Sequence, residues 1–252
     1  MSIDAVGRIR EASLDPDLRA VAISKWNAIA PSLLTPHGER TPAVSLRVSD
    51  AGACVRKLWN DLHGNPEVID SDTQISRFDI GTVYGAWLAA LLAASLERDG
   101  YEVACEQEVA YKGIRGHIDL RFNVPGGTTG VVEFKSTYWS GVLDPPHERA
   151  FYQVLQAVTY ALADDGADEA LIVTFGPAVA NRRGQQNEKM RQDAYDPIDY
   201  AFDAAEEWAR LSAALGDVEP EGDAKASESW RCRGCQVVKC PRNGAYQEAV
   251  NA

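Results

Sequence analysis

Two carboxylates and a lysine fall where strand geometry can gather them. Asp119 lies in a strand-like run over residues 115–123, and Glu133 and Lys135 lie in the next, over 130–137. Side chains alternate across a strand, so Glu133 and Lys135 share a face, and a hairpin register can set Asp119 beside them. The neighbours Ile118, Leu120, Val131, Val132 and Phe134 are core residues, so the charge interrupts an otherwise apolar hairpin. Paired carboxylates are costly without a cation, and hard oxygen donors favour Mg²⁺ or Mn²⁺. In such a site Asp119, Glu133 and the carbonyl of Phe134 hold the metal, which acidifies a water and polarises a phosphodiester. Lys135 then orients that water or neutralises charge on phosphate. The implied reaction is metal-dependent phosphodiester hydrolysis. Taken alone, the same three residues also describe an ordinary solvated strand face.

The helix expected after Lys135 carries Gln156 and Tyr160 four positions apart, hence on one face, with Tyr152 a turn earlier. An amide and a phenol there can hydrogen-bond the carboxylates or a nucleic-acid strand. They can equally anchor the helix on the sheet.

A second constellation is made of thiols. Cys232, Cys235 and Cys240 are spaced x2 then x4 and followed by Pro241, and Cys54 is a remote candidate for a fourth ligand. Four thiolates suit tetrahedral zinc or an iron–sulfur cluster, and spacing does not choose between them. Either would staple the C-terminal tail to an N-terminal helix by closing a very long loop. A redox Cys232-x-x-Cys235 pair is the other reading. Cys105, alternating with polar residues in a strand, reads as a core residue.

These side chains need elements to hold them. Residues 3–33 have helical spacing, broken by Pro31 and the segment 35–42. Ser49 and Asp50 are caps for a helix through Val55, Leu58, Trp59 and Leu62, with Cys54 in its first turn. Residues 76–98 form the clearest helix, stopped at Gly100. Strands over 102–111, 115–123 and 130–137 make an antiparallel meander with Pro125-Gly126-Gly127 as the second turn. A helix over 148–163, a strand over 170–175 and a helix over 196–215 follow; 181–191 is a basic stretch without periodicity. The order predicts an α+β or α/β fold, a mixed central sheet flanked by helices. It divides into an N-terminal helical region (1–75) supplying one cysteine, a core (76–215) and a cysteine-bearing tail (216–252).

Composition narrows the class. The 252 residues are 45% hydrophobic and 25% charged, which excludes general disorder and fibrous classes. No apolar run reaches 18 residues, and the first ten residues carry charge where a signal peptide needs an apolar core, so a cytoplasmic protein with no membrane partner is expected. A net charge of −12 argues against binding nucleic acid by bulk charge but leaves a local groove or a metal-bridged site open.

The segments Cys54-Val55-Arg56-Lys57-Leu58-Trp59, Gly116-His117-Ile118-Asp119, Glu133-Phe134-Lys135, Gln156 to Tyr160 and Cys232-x2-Cys235-x4-Cys240-Pro241 occur in this order across residues 54–241. Together they resemble the PD-(D/E)xK nuclease superfamily, in its RecB-like branch with an iron–sulfur cluster, and most of all the CRISPR-associated RecB-type exonucleases and their phage relatives. The resemblance implies a restriction-endonuclease-like core, a [4Fe–4S] cluster on Cys54, Cys232, Cys235 and Cys240, and Mg²⁺ or Mn²⁺ at Asp119 and Glu133. It implies a DNA exonuclease acting on single strands or ends in a bacterial or phage-infected cell, with recombination, repair or CRISPR-adaptation partners and an oligomer as an option. One departure stands out: the family's helix histidine after a Gly-Thr pair is here Gly85, following Gly81-Thr82. His117, two residues before Asp119, is a candidate substitute. Arg182, Arg183, Lys189 and Arg191 are candidate phosphate contacts. The alternatives are a DNA-binding or assembly protein of the same fold with impaired chemistry, and a zinc-stapled protein whose strand carboxylates are merely solvated.

Overall fold

The computed structural model describes residues 2–33, 45–63, 72–136, 148–164, 166–176 and 190–222. Among the described residues six helices, α1 (Ala5–Leu14), α2 (Pro16–Leu33), α3 (Val55–Leu62), α4 (Asp72–Arg98), α5 (Glu148–Ala163) and α6 (Ala201–Leu211), flank a five-stranded sheet. Its strands are β1 (Glu102–Tyr111), β2 (Ile114–Asn123), β3 (Thr129–Ser136), β4 (Glu169–Phe175) and β5 (Met190–Tyr195), in the order β1-β2-β3-β4-β5. All neighbours are antiparallel except β3 and β4, which run parallel. A parallel pair needs a crossover, and α5 supplies it.

Local chemistry explains most boundaries. The single helical run expected at the N-terminus is two helices, because Asp15-Pro16 ends one and starts the other: Asp15 Oδ1 accepts from the N–H groups of Asp17 and Leu18 at 2.9 and 3.2 Å, while Pro16 takes the first helical position. Pro31 lies inside the last turn of α2 instead of ending it. Gly100, at φ +85°, stops α4, and the Tyr101 N–H returns to the Leu96 carbonyl at 3.1 Å. Lys112 and Gly113, both with positive φ, make the two-residue turn between β1 and β2. The helix expected over 196–215 is shorter: α6 is flanked by 3-10 turns Ile198–Tyr200 and Ser212–Leu215.

The sheet separates two cores. On one face α1, α2 and α4 pack on Leu120, Phe122, Val132, Phe134 and Leu171; on the other α3, α5 and α6 pack on Ile118, Val131, Ala170 and Ile172. Strand alternation slips in one place. Leu120 and Phe122 belong to the α4 side, yet Ile118 belongs to the α5 side. β1 slips in step, since Cys105 packs on the α4 side and Val109 on the α5 side. Between the rungs Cys105↔Leu120 and Gln107↔Ile118, Glu106 and Asp119 lie opposite each other without forming one, and Glu106 has φ +52°. Such slips re-aim side chains, and here the re-aimed pair is two carboxylates.

Candidate active site

Asp119 and Glu133 occupy the next rung positions after Leu120↔Val132, where the β2–β3 ladder ends. Instead of a backbone rung, the Phe134 N–H donates to Asp119 Oδ2 at 2.7 Å. The strands therefore part with a carboxylate on each. Lys135, two residues beyond Glu133 on the same face, donates from Nζ to Glu133 Oε1 at 2.5 Å and to Gln156 Oε1 at 2.7 Å. Gln156 Nε2 donates to Glu133 Oε1 at 3.0 Å and to the Tyr160 hydroxyl at 3.2 Å. Glu133, Lys135, Gln156 and Tyr160 thus form one hydrogen-bonded group between β3 and α5, and Asp119, held by the Phe134 N–H, stands at the strand position opposite Glu133.

Gly116 makes the approach of α5 possible. A Cβ there would fall 2.5 Å from Tyr160 Cε1 and 2.9 Å from Val48 Cβ. Only a residue without a side chain lets the tyrosine lie against β2 at this distance. The Gly116-x-x-Asp119 spacing thus joins a packing requirement to a chemical group.

Electrostatics marks the site as short of positive charge. Glu133 is only 5% exposed, and its Oε2 is buried with no hydrogen-bond partner among the described residues, while Oε1 takes both donors. Burial, then the Glu133 charge, pushes the Asp119 carboxyl well above the ordinary aspartate range. The same two causes push Glu106 up to about 7 and raise the Tyr160 phenol. A carboxylate oxygen with free lone pairs beside a second carboxylate fits a hard divalent cation. Among the described residues no three His, Cys, Asp or Glu side chains come close enough together to hold an ion by themselves.

Other sequence expectations fall differently. His117 is exposed and in register with Glu108; the slip at Asp119 keeps it off the face of Glu133. Gly85 lies on α4 against the Cβ of Phe134, 3.6 Å from where its own Cβ would be. Arg191 lies on β5, a strand that the basic stretch did not predict, and is ion-paired to Asp193 at 2.5 Å. Arg182, Arg183 and Lys189 lie outside the described residues. Cys105 packs with the α4-side core, and burial pushes its thiol up to about 11. Glu106 was missed: its place opposite Asp119 follows from the register, and no spacing signal in the sequence reports it.

Cys54 is the N-cap of α3, not a residue of its first turn, because Val48–Asp50 forms a separate 3-10 turn that the Asp50 side chain closes onto the Arg47 N–H. Cys54 is buried. The loop before it is held from α6: the Gly52 N–H donates to Glu207 Oε1 at 2.7 Å, and Arg210 Nη2, paired with Glu207, donates to the Ala53 carbonyl at 2.9 Å. Beyond α6 the chain follows α3, where Trp59 Nε1 donates to the Gly216 carbonyl and Arg56 pairs with Glu219, each at 2.7 Å. Cys232, Cys235 and Cys240 lie outside the described residues.

No family model matches the chain, and no curated protein matches it by sequence. Among solved structures, SSO0001 aligns with a TM-score of 0.50 and 14% identity, over 90% of this chain and 97% of that one. The likeness is one of fold. A phage-related exonuclease from Haemophilus somnus 129PT aligns with a TM-score of 0.44 and 13% identity over 68% of this chain and 91% of its own. An alkaline exonuclease from Laribacter hongkongensis aligns with 0.33 and 12% over 69% and 91%. The described helices include none long and apolar enough to cross a membrane.

Proposed function

We propose that this protein is a metal-dependent deoxyribonuclease of the PD-(D/E)xK type, an exonuclease acting on single-stranded DNA or DNA ends. The observation that carries the reading is the buried Oε2 of Glu133, without a hydrogen-bond partner among the described residues, at the strand position opposite an Asp119 whose carboxyl the Glu133 charge helps to perturb, with Lys135 bound to the other oxygen. Asp119, Glu133 and the Phe134 carbonyl hold Mg²⁺ or Mn²⁺, which when bound supplies Lewis acidity to a water and a phosphate oxygen. Lys135 neutralises charge that builds on the phosphate and positions the attacking water. Gln156 keeps Lys135 and Glu133 in place, and Tyr160 orients Gln156.

The thiol constellation is assigned, as part of the same proposal, to a [4Fe–4S] cluster on Cys54, Cys232, Cys235 and Cys240. Support comes from the burial of Cys54 and from the contacts of Gly216 and Glu219 with α3, the helix that Cys54 caps. On this reading the cluster is structural and takes no part in the hydrolysis.

Lys135→Ala tests the reading. DNA cleavage that requires Mn²⁺ or Mg²⁺ and disappears in the variant supports it, and equal cleavage by both proteins overturns it. A second reading, a DNA-binding protein of this fold with impaired chemistry, rests on Gly85, which brings no ligand where the resemblance expects a histidine.

A further inference from the structure

We infer that Glu106 belongs to the cation site as a positioning residue, its carboxylate accepting a hydrogen bond from a water on the ion held by Asp119 and Glu133. The inference rests on reading that site as a metal site.

Glu106, Asp119 and Glu133 stand at successive positions in one row across β1, β2 and β3. Neither of the two positions between them forms a backbone rung. At the first, Glu106 takes a left-handed backbone that a non-glycine residue adopts at a cost of about 1 kcal/mol. The Glu106 side chain makes no hydrogen bond or ion pair among the described residues, although the residue is half-buried. The Glu133 charge acts on both other carboxylates, and Glu133 keeps a buried oxygen without a partner. Three mutually repelling carboxylates on adjacent strands, with Lys135 engaged by only one of them, have a physical reason to be there if a divalent cation lies among them. Since no three described side chains converge on one ion, the reach of Glu106 is through a water.

The test is Mn²⁺ binding without DNA, followed by calorimetry and by the electron paramagnetic resonance of free Mn²⁺, for wild type, Glu106→Gln, Glu106→Gly and Asp119→Asn. Glycine keeps the left-handed backbone while removing the carboxylate, and glutamine keeps the side-chain size. The expected result is about tenfold weaker Mn²⁺ binding in both Glu106 variants, at melting temperatures no lower than wild type, and a larger loss in Asp119→Asn. Wild-type affinity in both Glu106 variants beside a weakened Asp119→Asn would overturn the inference and leave the metal site standing. No Mn²⁺ binding by wild type would overturn the site itself.

Discussion

Asp119 and Glu133 sit opposite each other one position past the last β2–β3 rung, and the Phe134 N–H that a continuing ladder would use goes instead to the Asp119 carboxylate at 2.7 Å. The end of the ladder is therefore what leaves the two carboxylates side by side without a backbone rung between them. The buried Glu133 Oε2, without a hydrogen-bond partner among the described residues, is the atom that the proposed cation would satisfy.

Metal-free protein should lose stability as pH rises. Burial and Glu133 hold the Glu106 carboxyl near 7 in the folded chain against an ordinary value of 4.5, so between these values the folded state binds more protons than the unfolded one. Stability then falls with rising pH across that window, by on the order of 2–3 kcal/mol from Glu106. Asp119 acts in the same direction. Thermal melts in EDTA from pH 4.5 to 8 should slope downward, Glu106→Gln should flatten the slope, and Mn²⁺ should offset the loss at the alkaline end. An unchanged slope in the variant would remove Glu106 as its source.

Gly116→Ala should strain the contact between β2 and α5. Its Cβ has Tyr160 Cε1 at 2.5 Å and Val48 Cβ at 2.9 Å, both on packed elements. A loss of about 1–3 kcal/mol is expected, together with lower cleavage because Tyr160 carries Gln156. Urea unfolding reads the first and initial rates the second. Full stability in Gly116→Ala would show that α5 yields more freely than this packing implies.

Gly85→His separates the two functional readings. Its Cβ meets only Phe134 Cβ at 3.6 Å, ordinary contact, and replacing a helical glycine contributes roughly 0.5–1 kcal/mol. The variant should fold. If the missing helix ligand limits the chemistry, metal-dependent cleavage should rise at least several-fold; unchanged rate and unchanged Mn²⁺ affinity would mean that Gly85 is not where activity is lost.

Glu207→Ala should loosen the loop that presents Cys54. Glu207 is 6% exposed, accepts from the Gly52 N–H, and is the partner of Arg210. Removing it takes the acceptor from the Gly52 N–H and one partner from Arg210, which keeps the Ala53 carbonyl, at about 1–3 kcal/mol. On the cluster assignment, anaerobically purified variant should also lose absorbance near 400 nm, at about the position of a cubane cluster. Full colour at reduced stability would confine Glu207 to the packing of α6.

Much of this architecture was legible before the structure. The β1–β3 meander announced itself through period-two alternation and glycine turns, and α4 through its 3.6 period and Gly100. Asp119, Glu133 and Lys135 could be grouped because a single hairpin register relates them. Gln156 followed from its place on α5. What was not legible depended on relations that one strand or helix does not carry. β5 (Met190–Tyr195) has no β-branched residue and takes its form from pairing with β4. The split at Pro16 looked like continuous helix because apolar spacing resumes at once. His117 seemed to share a face with Asp119 until the alternation slipped between them, and the same slip aims Glu106, which no motif marks.

The most direct measurement is the fate of end-labelled single-stranded and duplex DNA incubated with anaerobically purified protein in Mn²⁺, in Mg²⁺ and in EDTA, beside Lys135→Ala. Loss of label with either metal, absent in EDTA and reduced on the order of 100-fold or more in the variant, is the result expected from a cation held between Asp119 and Glu133. Folded wild-type protein that leaves both substrates intact in both metals, or cleaves them equally well in EDTA, would contradict it.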